Sequence, residues 1–117
     1  MRAARDRRRT PRIASHFRLR YRLIPVAETG YVEGFVEDLS PEGLRFQTSA
    51  AIRARASFLF EMLIPGAKPV RSFGHAAWVR ELPNDGGFEV GSRFVDQSTT
   101  VRKAIERHLQ GATRPAR

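Results

Sequence analysis

Two short clusters in this 117-residue sequence carry residue types suited to gripping a compact polyanion. Arg7-Arg8-Arg9-Thr10-Pro11-Arg12 places four guanidinium groups close together, with an R-x-x-x-R spacing at Arg8 and Arg12. Arginine's planar fork pairs bidentately with phosphate, and with guanine O6 and N7, and it stacks on a purine face. Asp38-Leu39-Ser40-Pro41-Glu42-Gly43 forms the second cluster, a D-x-S-x-x-G spacing. A carboxylate at Asp38 is an acceptor that suits the N1–H and N2–H₂ donors of a guanine edge, and Ser40 adds a small donor and acceptor. Gly43 is expected to supply a positive-φ turn and to let backbone approach a ligand closely. Each cluster also has a plainer use. Asp38 and Ser40 can close an Asx or Ser turn around Gly43, and the arginines can form a solvated tail.

No catalytic constellation accompanies them. There is no cysteine, so disulfides, thiolate nucleophiles and thiolate metal sites are excluded. His16, His75 and His108 share no H-x-x-x-H or H-E-x-x-H spacing, which argues against a metal site. Glu37 and Asp38 are adjacent, so on a regular strand they face opposite ways, a poor arrangement for paired acid–base work. Gly86-Gly87 lacks the G-x-x-x-x-G-K-[ST] pattern of a phosphate loop. The expectation is a binding protein, not an enzyme.

The formal net charge of +9 is unevenly placed. Residues 1–23 hold nine Arg against one Asp, whereas residues 24–110 hold ten basic and eleven acidic side chains. A near-neutral body with one basic arm favours a small, highly charged anion over a long nucleic acid, although an arm alone can hold a polyanion. No apolar run approaches the roughly 20 residues needed to cross a bilayer, and no apolar stretch of a secretory signal follows Met1. No membrane insertion and a cytoplasmic location are expected.

These side chains need elements to position them. Residues 1–12 are almost free of apolar content and are expected to be a mobile arm. From His16 onward, Phe17, Leu19, Tyr21 and Leu23 alternate with Arg18, Arg20 and Arg22, the period of a strand with one buried face and a solvated arginine face. Further strands are predicted at Tyr31–Leu39, Leu44–Thr48, Ala56–Ile64, Val70–Leu82 and Phe88–Val95, separated by turn residues such as Pro65-Gly66 and Pro83-Asn84-Asp85-Gly86-Gly87. Strands at this spacing without long helices between them argue for an antiparallel sandwich or small barrel. Ser98 or Thr99 can cap one helix whose apolar stripe is Val101, Ala104, Ile105, His108 and Leu109, and Gly111 is expected to stop it. The predicted organisation is an arm over 1–12, a β-domain with its helix over 13–110, and a disordered tail over 111–117.

The arginine cluster and the D-x-S-x-x-G cluster, in this order and ahead of an all-β body, resemble the bacterial PilZ domain family of cyclic di-GMP receptors. Gly74-His75-Ala76-Ala77-Trp78-Val79-Arg80 and Gly91-Ser92-Arg93-Phe94-Val95-Asp96 resemble that family's late strands, and the resemblance covers residues 7–110. It implies a mainly β fold, a six-stranded antiparallel β-barrel of the split-barrel type with one C-terminal amphipathic helix. It implies cyclic di-GMP as the ligand, held by Arg7, Arg8, Arg9, Arg12, Asp38, Ser40 and Gly43, with Trp78 either near a guanine or in the core. In this family the position before R-x-x-x-R influences stoichiometry. Here it is Arg7, which implies two intercalated ligand molecules per chain and no other cofactor. Ordering of the arm is then expected to alter contacts with a downstream protein. Two other readings stay open: a nucleic-acid binder using the basic arm, and a PilZ-like adaptor that binds no ligand.

Overall fold

In the computed structural model, residues 13–24, 30–95 and 98–113 are described, so Arg7, Arg8, Arg9 and Arg12 lie outside the described residues. Six strands form in chain order: β1 (Ile13–Ile24), β2 (Val32–Ser40), β3 (Gly43–Thr48), β4 (Ser57–Met62), β5 (Val70–Glu81) and β6 (Phe88–Val95). One helix follows, α1 (Thr99–Thr113). All neighbouring strands are antiparallel, in the closed order β1-β2-β3-β6-β5-β4. The barrel closes through β1 and β4, with Leu19 opposite Met62 and Tyr21 opposite Phe60. Closure removes the unpaired edges an open sheet would expose.

The alternation seen in the sequence defines the interior. Leu19, Tyr21, Val36, Leu44, Phe46, Phe58, Phe60, Met62 and Val90 point inward and are almost wholly buried. Tyr21, Phe46, Phe58 and Phe60 make an aromatic centre, with Phe58 and Phe60 edge-on at 4.7 Å between ring centroids. Tyr21 keeps its hydroxyl satisfied inside by bonding Thr48 Oγ1 at 2.8 Å, and burial raises its pKa above the usual phenol value despite that bond.

α1 packs against the barrel. Val101 and Ile105 are buried, and His108 meets Phe17 edge-on at 5.5 Å. The cap is Ser98, whose Oγ accepts from Val101 N at 3.2 Å. The helix does not stop at Gly111 but runs to Thr113. Gly111 has no positive φ, so the left-handed turn that ends many helices at glycine is not formed there.

Three bulges interrupt the ladder, between Ala14 and Phe17, between Val36 and Asp38, and between Ala76 and Trp78. The second and third set which side chains reach the outer wall. Strict alternation from inward Val36 would send Asp38 into the core and Leu39 to solvent. The extra residue at Glu37 turns Asp38 to the outer wall, where it pairs with Arg45 and is still only 9% exposed, and returns Leu39 to full burial. The extra residue at Ala77 does the same on β5: Ala76 is buried, Trp78 is 42% exposed, and Val79 packs back against the core.

Candidate functional site

The strand register places Asp38 and Trp78 on one line. Asp38 lies opposite Arg45 on β3, Arg45 opposite Gly91 on β6, and Gly91 opposite Trp78 on β5. Ala14, just after the arginine cluster in the chain, lies opposite Asp38 on the other side. From Asp38 to Trp78 is three strand spacings, about 14 Å at roughly 4.8 Å each. The row therefore presents a carboxylate, a guanidinium, a residue without side chain and an indole along one outer wall. A Cβ on Gly91 would lie 2.2 Å from Trp78 Cε2, so the indole lies flat across that glycine.

The neighbouring row holds the turn. Ser40 pairs with Gly43, and Gly43 with Arg93 on β6. Ser40 is buried, and its Oγ accepts from Glu42 N at 3.2 Å and Gly43 N at 3.3 Å. In this structure the hydroxyl closes its own turn, the plainer of its two expected uses. Gly43 does not have the positive φ expected of it; among the described glycines only Gly66 and Gly87 do. Glycine stands at 43 for a different reason. A Cβ there would sit 2.1 Å from the Ser92 carbonyl oxygen, so β3 and β6 can approach this closely only at a glycine.

Asp38 is tied into a chain of charges that its own motif does not reveal. Arg45 Nε donates to Asp38 Oδ2 at 2.9 Å, and Arg45 Nη1 donates to Glu89 Oε2 at 2.8 Å. The other Glu89 oxygen accepts from Arg80 Nη2. Glu89 is buried, and a carboxylate out of water needs such partners. Arg45, Glu89 and Arg80 are not among the site residues expected from sequence. Their outward alternation is legible there, Arg45 between Leu44 and Phe46, and Glu89 between Phe88 and Val90. What joins them to Asp38 is pairing register, which no local pattern encodes.

The structure thus brings Asp38, Ser40 and Gly43 together on one hairpin and sets Trp78 on the same wall. An open groove of about 420 Å³ lies elsewhere, lined by Arg18, Glu33, Phe35, Gln47 and Asp85, and touches none of these four. It has mixed charge and no counterpart to the Asp38 row. The candidate site is the convex wall, where a ligand lies against strands and needs a second element to cover it.

The comparisons with known proteins agree with this architecture. A family model described as PilZ domain matches residues 6–111. No curated protein matches the chain. Among solved structures, the fold is similar to the PilZ domain with c-di-GMP of YcgR from Escherichia coli, at a TM-score of 0.73 and 16% identity over 92% of each chain. It is also similar to the Bacillus subtilis inhibitor of motility MotI/DgrA, at a TM-score of 0.74 and 9% identity, over 93% of this chain and 53% of that one. The PilZ domain of CeSA from a cellulose-synthesizing bacterium aligns at a TM-score of 0.63 and 16% identity, over 86% and 96%. At such identities structural likeness speaks to the fold alone, but the family model spans the arginine cluster, the hairpin, the bulged wall and the helix together. With its closed six-stranded barrel and C-terminal helix, the chain belongs to the PilZ domain family.

Proposed function

We propose that this protein is a receptor for cyclic di-GMP, which binds on the outer wall of the barrel and is covered by the arginine arm. The observation that carries this reading is the row from Asp38 to Trp78, together with the point where the arm joins the barrel. Ile13 pairs with Leu39 and Ala14 with Asp38, so β1 begins beside that row, immediately after the arginine cluster in the sequence. Asp38 reads the guanine edge, Trp78 offers a stacking face, and Arg7, Arg8, Arg9 and Arg12 take the phosphates. Two ligand molecules per chain match this inventory: four phosphate charges meet four arginines, and guanines stacked on one another extend the single indole platform. Ser40 and Gly43 shape the hairpin on which Asp38 sits. Ordering of the arm over the ligand changes the surface offered to a downstream protein. The structural relative from YcgR is a PilZ domain with c-di-GMP, which supports this ligand class.

Titration calorimetry with cyclic di-GMP, with GTP and a short DNA duplex as controls, tests the reading. Arg8→Ala and Arg12→Ala should each weaken cyclic di-GMP binding by about 1.5–3 kcal/mol, the scale of a hydrogen bond to a charged group. Wild-type affinity in both variants overturns the arm's role. Binding of DNA in place of the cyclic dinucleotide would favour the nucleic-acid reading, and binding of neither a ligand-free adaptor.

A further inference from the structure

We propose that Arg45 and Glu89 are positioning residues that hold the Asp38 carboxylate in the plane needed to read a guanine, and so set nucleotide selectivity. The inference rests on the assignment of this wall to cyclic di-GMP. To accept from N1–H and N2–H₂ at once, a carboxylate must offer both oxygens in the plane of the base. An aspartate on a bulged strand has no intrinsic reason to stay in that plane. The hydrogen-bond chain supplies one.

Arg45 is clamped at two points of a rigid, planar group. Its Nε holds Asp38 Oδ2 at 2.9 Å, and its Nη1 is held by Glu89 Oε2 at 2.8 Å. One contact alone would leave the guanidinium free to turn. Glu89 in its turn cannot swing, because its second oxygen is engaged by Arg80 and its side chain is only 5% exposed. The anchor is thus buried, the connecting guanidinium is 38% exposed, and the Asp38 carboxylate keeps 12% of its side-chain surface open on the outer wall. Because a carboxylate oxygen has room for more than one donor, Asp38 can accept from Arg45 and a base together.

Selectivity follows from the geometry. Guanine presents donors to an oriented carboxylate, whereas adenine presents the N1 lone pair beside a single amino group and meets repulsion. A carboxylate that can rotate loses both the attraction and the penalty. Contacts to the phosphates are common to both nucleotides and are untouched. Loss of the clamp should therefore lower discrimination more than it lowers binding in general.

The probes are cyclic di-GMP and cyclic di-AMP, titrated into the full chain. Arg45→Met should cut the ratio of their affinities about tenfold, the scale of one hydrogen bond to a charged group. Glu89→Gln should cut it in the same direction and by less. Arg45→Lys keeps the charge but not the planar two-point grip, and should lose selectivity while retaining wild-type stability. A merely structural network predicts the reverse: lowered Tm with the ratio unchanged, and that result overturns the proposal. A second measurement needs no ligand. In the free wild-type protein the Arg45 Nε–H should give a slowly exchanging signal that shifts in Asp38→Asn and in Glu89→Gln. Wild type that binds neither nucleotide defeats the functional reading, whereas an Arg45 Nε–H exchanging like that of an exposed arginine defeats the clamp itself.

Discussion

Glu61 on β4 and Glu89 on β6 flank the same strand, and each is a buried carboxylate held by two arginines. β5 sends Arg71 to Glu61 and Arg80 to Glu89. The other guanidinium comes from β1 as Arg20 on one side and from β3 as Arg45 on the other. Exposure of the arginines also matches, 43% and 68% around Glu61 against 38% and 64% around Glu89. The difference lies in what the inner arginine touches next. Arg20 lies 5.4 Å from the ring centroid of Tyr31. Arg45 reaches Asp38, beside a glycine that lets an indole lie flat on the wall. A buried carboxylate with two arginines is thus a means of satisfying a charge, and it marks a site only where the chain of bonds ends on a group able to meet a ligand.

Glycine substitutions should break this contrast most strongly, because the wall on the Glu89 side depends on two close approaches. In Gly43→Ala the new Cβ meets the Ser92 carbonyl oxygen at 2.1 Å, backbone against backbone, with no flexible side chain to yield. A loss of about 3 kcal/mol is expected, the upper end of ordinary overpacking, read as a fall in Tm of about 10 °C. In Gly91→Ala the new Cβ meets the half-exposed Trp78 indole, which can swing away. That variant should lose under about 1 kcal/mol yet shift the emission of the single tryptophan and weaken ligand binding. Equal destabilisation of the two variants would show that the indole is fixed and not merely resting on Gly91.

The carboxylates themselves come next. Glu61→Gln and Glu89→Gln should each cost about 1–2 kcal/mol in urea unfolding, less than a fully buried pair would because the arginines can rehydrate. Stability should not separate them. Binding should: Glu61→Gln retains wild-type selectivity for cyclic di-GMP over cyclic di-AMP, and Glu89→Gln does not. Parallel loss of selectivity in both would dissolve the distinction drawn between the two sides of β5.

Much of this arrangement is legible in the residues, and the illegible part has a physical cause. Phe17, Leu19, Tyr21 and Leu23 announce their strand by period, and the remaining strands and the Ser98 cap fall close to where turn residues and periodicity put them. Asp38, Ser40 and Gly43 are visible as a motif because they lie within one hairpin. The orientation of Asp38 and Trp78 is not visible, since it depends on one extra residue at Glu37 and another at Ala77, and a bulge is defined by the partner strand. The same holds for Gly43, whose requirement comes from β6 and not from its own turn. Arg45, Glu89 and Arg80 are brought to Asp38 only by register across four strands. The arginine cluster, legible as a charge pattern, lies outside the described residues, so the four-arginine grip rests on sequence.

The smallest expected effect is the dependence of stability on pH, and it separates Glu61 from the helix end of the molecule. Arg20's hydrogen bond, its charge and the Arg71 contact outweigh burial and hold the Glu61 carboxyl below its usual value of 4.5. In the unfolded chain the group protonates near 4.5, while in the folded protein it stays ionised to lower pH. The unfolded state then binds more protons, so stability falls as pH falls through this range and is fully present above 4.5. His108 acts earlier. Burial against Phe17 lowers its pKa below 6.5, so the unfolded chain takes up that proton first and stability begins to fall as pH drops below 6.5. Thermal unfolding followed from about pH 8 to about pH 3 should therefore show two separate declines. His108→Gln should remove the upper one and leave the lower, and Glu61→Gln should flatten the lower one and leave the upper. If Glu61→Gln left the acid decline unchanged, the Arg20–Glu61–Arg71 cluster would not be held by charge in solution, and its likeness to the Glu89 cluster would be one of shape alone.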